Sequence, residues 1–167
     1  MPKGITYSIV ANATDVETAL GELAALFPRY VNAWLIEAAN MTKGEMKSKV
    51  NQGVGASMGQ GIANNIDIEY NTATQSAVVA PNKSVASYAL PLETGSAPHR
   101  PPSGPDSSLA QWCEMKGLNV FAVAATIARD GTKPHPFVAP TFRVVEGPIK
   151  ALFSNGVAMF LDMRGAL

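Results

Sequence analysis

The chain has 167 residues, of which 47% are apolar and only 16% charged, with thirteen basic residues balanced by thirteen acidic ones. That length suits a single domain able to bury roughly two-thirds of its unfolded surface, but the low charge leaves a lone copy with an unusually uncharged exterior. A pI near 6.7 excludes attraction to phosphate by bulk charge, and the lone Cys113 excludes an internal disulfide.

The N-terminal Met-Pro-Lys-Gly-Ile-Thr lacks the apolar core of an export signal, and no window approaches eighteen uncharged apolar residues, so the expectation is a soluble, unexported protein. Ile5, Tyr7 and Ile9 alternate with polar neighbours and predict a short strand. The period then changes. Thr14 and Glu17 form a capping box ahead of Val16, Leu20, Leu23 and Phe27 at helical spacing, and Pro28 predicts a break at Phe27–Pro28 because proline is tolerated at the start of a helix and not inside it. From Pro28, Val31, Trp34, Leu35, Ala38, Met46 and Val50 recur at three and four, which predicts a second helix of about 24 residues, or about 36 Å. Lys43 and Lys47 near its end read as a solvated face, with a phosphate-facing patch as the alternative.

Gly53, Gly55, Gly59 and Gly61 follow, in a spacing that fits neither a dinucleotide fingerprint nor a P-loop and with no strand before them, so they predict a mobile loop. Ile66, Ile68 and Tyr70 alternate with Asp67 and Glu69, and Gln75 to Ala80 returns after Asn71-Thr72-Ala73-Thr74, the pattern of a β-hairpin. Tyr88 to Ser96 holds Pro91 and Gly95, and Pro98, Pro101, Pro102, Gly104 and Pro105 come next. This density of φ-locked and permissive residues predicts a rigid connection, neither helix nor central strand. Asp106-Ser107-Ser108 can cap a helix over Leu109 to Lys116 closed by Gly117, and Asn119 can cap a second one ended by Gly131. A second proline-rich arm, residues 132–140, carries Pro134, Pro136 and Pro140 around a single large side chain, Phe137. Helical spacing then runs from Phe142 through Val145, Ile149, Leu152, Phe153, Gly156 and Phe160, with a break or bend expected at Gly147-Pro148.

Chemistry-bearing residues are few. Cys113 follows Trp112 in a predicted helix, where a thiol is most often a small buried hydrophobe, and His99 and His135 sit in proline-stiffened segments with no orienting partner. The two histidines are also without a spacing that would hold zinc. The expectation is no catalytic residue, no metal and no cofactor, so not an enzyme; a thiol hydrolase built on Cys113 with His99 or His135 is the alternative of another class. Glu93, between apolar Leu92 and the Gly95 turn, either caps a local backbone turn or pairs with a basic residue of a neighbouring subunit. Phe137 is either a core anchor or a side chain inserted into the next subunit.

Taken in order, Tyr88, Ala89, Glu93, Gly95, Leu109, Trp112, Gly131, Pro136, Phe137 and Pro140 resemble the motif of the tail-completion family of tailed bacteriophages, also called minor tail, neck or head–tail joining proteins. The resemblance covers about residue 28 to the C-terminus. It implies an α+β fold, a small antiparallel sheet packed on a long helix and further helices, in one domain over residues 1–167 with a helical insertion at 109–130. It further implies a virion subunit, assembled in the host cytoplasm, that forms a homomeric ring of about six copies. Head-side connector or stopper proteins would lie on one side and a tail terminator or tail tube protein on the other, with DNA passing through unread; no membrane is implied. A tail terminator capping the tube is the neighbouring alternative. Proline arms 98–105 and 132–140 are the expected contact elements, with Glu93, Pro98, Arg100, Pro101, Pro136, Phe137 and Pro140 at the interface.

Overall fold

The computed structural model describes residues 13–54, 61–84, 86 and 88–163. The strand expected at Ile5 to Ile9, and Gly55 and Gly59 of the glycine-rich stretch, lie outside the described residues.

Helix α1 spans Ala13–Val54 without interruption, 42 residues and about 63 Å at 1.5 Å per residue. The break expected at Phe27–Pro28 is therefore absent, and the Thr14–Glu17 pair falls inside the helix. An interior proline costs about 3 kcal/mol, so something must offset it. Phe27, Tyr30 and Trp34 do so by stacking on Phe153 and Phe160 of the C-terminal helix, with ring centroids 4.9–6.1 Å apart for the cross-helix pairs. Pro28 and Ala24, whose carbonyl loses its partner to the ring, are both exposed, so water can satisfy that carbonyl.

After a helical turn at residues 61–64, strands β1 (Ile66–Asn71) and β2 (Ser76–Pro81) pair antiparallel, with Ile66 opposite Pro81 and Ile68 opposite Val79. The hairpin forms as its alternation predicts. Asn71 Oδ1 accepts hydrogen bonds from the amides of Ala73 and Thr74, and Gln75 takes φ 49° to close the turn. One hairpin face rests on α1; Asp67 and Glu69 point the other way.

Ala89–Thr94 is helix α2, a correction to the rigid non-helical connection expected there. Pro91 is compatible because it occupies the first turn, where its missing N–H would have had no intrahelical partner. The insertion folds as expected: α3 (Ser108–Lys116) is capped by Ser107 and closed by Gly117 at φ 65°, and α4 (Val120–Asp130) is capped by Asn119, whose side chain accepts from the amides of Phe121 and Ala122. Helix α5, Val138–Asp162, again ignores its expected break. Pro148 faces solvent, as does Val144, which would have received its N–H, and Lys150 bridges to Glu146 across the proline.

The fold is α+β: a two-stranded sheet packed on a long helix, with α5 laid along that helix. Thr141, Val145, Gly156 and Phe160 form the buried stripe of α5. Gly156 lies under Trp34, where any Cβ would meet the indole ring. By length and composition alone α5 could cross a bilayer, and only 17% of its apolar window is buried inside this chain. A second apolar cluster gathers Met46 and Val50 of α1, Ile62, Ala63, Ile66, Ala86, Ala89 and Phe137, with Val79 and Leu92 packed against it.

Candidate functional site

The residues singled out between Tyr88 and Pro140 converge on one place, the start of α5. A helix begins with four N–H groups that have no partner within it. At α5 these belong to Phe137, Val138, Ala139 and position 140, and the last is a proline with none to satisfy. Glu93 supplies the rest: its carboxylate accepts from Phe137 N at 2.6 Å, Val138 N at 3.0 Å and, at the limit of hydrogen bonding, Ala139 N at 3.5 Å. The cap lies 44 residues away in sequence. A carboxylate at this end also lies at the positive pole of the helix dipole. Glu93 is thus a backbone cap, as the plainer of its two readings had it, but for a distant helix, and no basic partner is needed to explain its charge.

Phe137, just before the helix, is 2% exposed and among the largest fully buried side chains. It takes the core role, leaving no ring surface to insert into a neighbour. Pro140 falls in the first turn of α5, so the second arm ends at Phe137.

Both arms are tied to their own body at particular points, while most of their residues stay exposed. Ser96 and Thr132 form an antiparallel bridge, with Ser96 N donating to Thr132 O at 3.1 Å, Thr132 N donating to Ser96 O at 3.0 Å and the two hydroxyls 2.8 Å apart. Each is preceded by a glycine in the left-handed region, Gly95 at φ 74° and Gly131 at φ 75°. A Cβ on Gly95 would lie 2.6 Å from Thr132 O, and one on Gly131 would collide with Ser96 O. Only glycine fits either position. Beyond this clasp, His135 N donates to Leu92 O at 2.8 Å and His99 N to Ile127 O of α4 at 3.4 Å. Of the expected interface residues, Pro98, Arg100 and Pro136 are exposed, and Pro101 and Pro140 are half-buried.

The folded arms, α2, α3 and α4 enclose a groove of about 840 Å³. Trp112 lines it, and the indole Nε1 is buried without a hydrogen-bond partner. His99 and His135 also line the groove, whereas Cys113 does not and is 1% exposed. A buried thiol is poorly placed as a nucleophile. Among the described residues no three His, Cys, Asp or Glu side chains gather as metal ligands would. At the end of α4, Arg129 and Asp130 bond side by side; the guanidinium hydrogen bond holds the Asp130 carboxyl below its ordinary value and raises Arg129, both in full contact with water.

Sequence reasoning named Glu93, Gly95, Gly131 and Phe137 but missed what joins them. A glycine before a small hydroxyl residue at both 95–96 and 131–132 is the signal that could have paired the arms. No protein family, curated protein or solved structure matches the chain.

Proposed function

We propose that this chain is a structural subunit of a tailed-phage neck, a tail-completion-like protein that closes into a homomeric ring between the head connector and the tail. The observation that carries the assembly reading is the number of large apolar side chains left in water: Phe121 is 71% exposed, Leu90 70%, Met159 64% and Phe142 63%, on a chain with few charges to offset them. In this proposal neighbouring subunits gather these side chains into covered patches, the arrangement in which exposed apolar surface marks contact with other proteins. The motif from Tyr88 to Pro140 supports the choice of family, since its members make one connected unit of clasp, cap and buried phenylalanine rather than scattered matches.

The contact elements in this proposal are the exposed apolar faces of α2, α4 and α5, in place of the proline arms. Identical subunits joined head-to-tail close into rings, and the tail's symmetry favours about six. Sedimentation of the purified chain at high concentration, with negative-stain imaging, tests this. Rings with a central hole, several times the 17.5 kDa subunit in mass, are expected. A monodisperse monomer, both alone and with connector and tail proteins added, would sink the proposal.

A further inference from the structure

We propose that the groove between the clasped arms and the α3–α4 pair is a docking site for an extended segment of a partner protein that alternates apolar and acidic residues. Its volume of about 840 Å³ is in the range of sites that take a few large groups, and its floor is apolar, built from Leu92, Leu109, Trp112, Val123 and Ile127. Pro91, Pro98 and Pro101 stiffen the rim, and the Ser96–Thr132 bridge holds its two sides together. An occupant therefore meets a preformed surface, which spares it the cost of ordering the wall.

Charge selects the occupant. The ionisable side chains lining the groove are Lys133, His99 and His135, all basic in type, and the Tyr88 phenol; no Asp or Glu lines it, and the nearby Asp130 carboxylate is bonded to Arg129. An extended peptide can meet both demands, with apolar side chains for the floor on one face and carboxylates for Lys133 on the other. A basic segment would meet Lys133 with like charge.

The test uses the full chain and fluorescein-labelled peptides of about ten residues, about 33 Å when extended at about 3.3 Å per residue. One alternates Asp with Phe and Leu, a second carries Lys for each Asp, and a third carries Ser for each Phe and Leu. Anisotropy titrations should show the acidic apolar peptide binding at least about tenfold more tightly than either of the others. Lys133→Glu, at an exposed position that leaves the fold undisturbed, should abolish that preference, while Lys83→Glu on the hairpin should preserve it. Equal affinity for the acidic and basic peptides, equal affinity for the polar one, no binding at millimolar concentration, or indifference to Lys133→Glu would each overturn the proposal. Oligomeric state is read on the same samples: a monomer that binds counts against the ring alone, and a ring that does not bind counts against the groove alone.

Discussion

Replacing Glu93 probes the connection on which the second half of the fold depends. The carboxylate makes two short hydrogen bonds, 2.6 and 3.0 Å, to the amides of Phe137 and Val138. Bonds to a charged group are worth about 1.5–3 kcal/mol each, and removing an ordinary helix cap costs about 0.5–2 kcal/mol. Because Phe137 N is part-buried while Val138 is exposed, water can replace the second bond more easily than the first. Glu93→Ala should therefore lose about 2–4 kcal/mol. Glu93→Gln keeps an acceptor oxygen but gives up the charge and its favourable place at the helix dipole, a loss of about 1–2 kcal/mol. Urea unfolding followed by far-UV circular dichroism measures both, with the midpoint falling and the slope unchanged. In thermal melts of a chain this size each kcal/mol should appear as about 2–4 °C. If Glu93→Ala lowered stability by less than about 0.5 kcal/mol, the cap would contribute nothing net and the sharing of orphan amides between Glu93 and Pro140 would be wrong.

Phe137→Ala should cost about 3–5 kcal/mol, the usual range for emptying a buried phenylalanine site, and denaturant unfolding will register it even in dilute monomer. Gly131→Ala puts a Cβ into Ser96 O at φ 75° and should open the clasp; accelerated amide exchange at Ser96 and Thr132 is the expected sign, and unchanged protection there would refute it. Gly156→Val should wedge α5 away from Trp34, with a loss of about 1–3 kcal/mol from overpacking and a change in tryptophan emission. Matched stability and emission in that variant would show that the two helices do not meet at Gly156.

Local pattern was legible where a neighbour within a few residues decides the structure. The hairpin, both caps at Ser107 and Asn119 and the closing Gly117 follow from turn and cap chemistry, and each is in place. Prolines were misread wherever that chemistry competed with tertiary contact. Pro28 and Pro148 predict breaks on propensity alone, yet both sit on the solvent side of helices whose opposite faces pack on each other. Pro91 and Pro140 fall in first turns, where they remove nothing, a distinction that depends on knowing where the helix starts. The site divides in the same way. Glu93 and Phe137 stand out as residues of unusual context, but the bond between them spans 44 positions and carries no periodic signature.

That division also relocates the surface on which an assembly would act. Glu93, Gly95, Gly131 and Phe137 are consumed in joining α2, the arms and α5, so their substitution disturbs a ring only by unfolding its subunits. Phe142 and Leu90 are in the opposite condition: at 63% and 70% exposed, each gives the monomer little that Ser could not. The two classes are separable in one experiment. Phe142→Ser combined with Leu90→Ser should leave the unfolding free energy within about 0.5 kcal/mol of the parent while reducing higher-mass species in sedimentation. Glu93→Gln should lower the midpoint and leave assembly intact at temperatures where the subunit remains folded. A double serine variant that assembles normally would place the contacts elsewhere. A folded Glu93→Gln variant that fails to assemble would return the carboxylate to the interface from which its two short hydrogen bonds otherwise remove it.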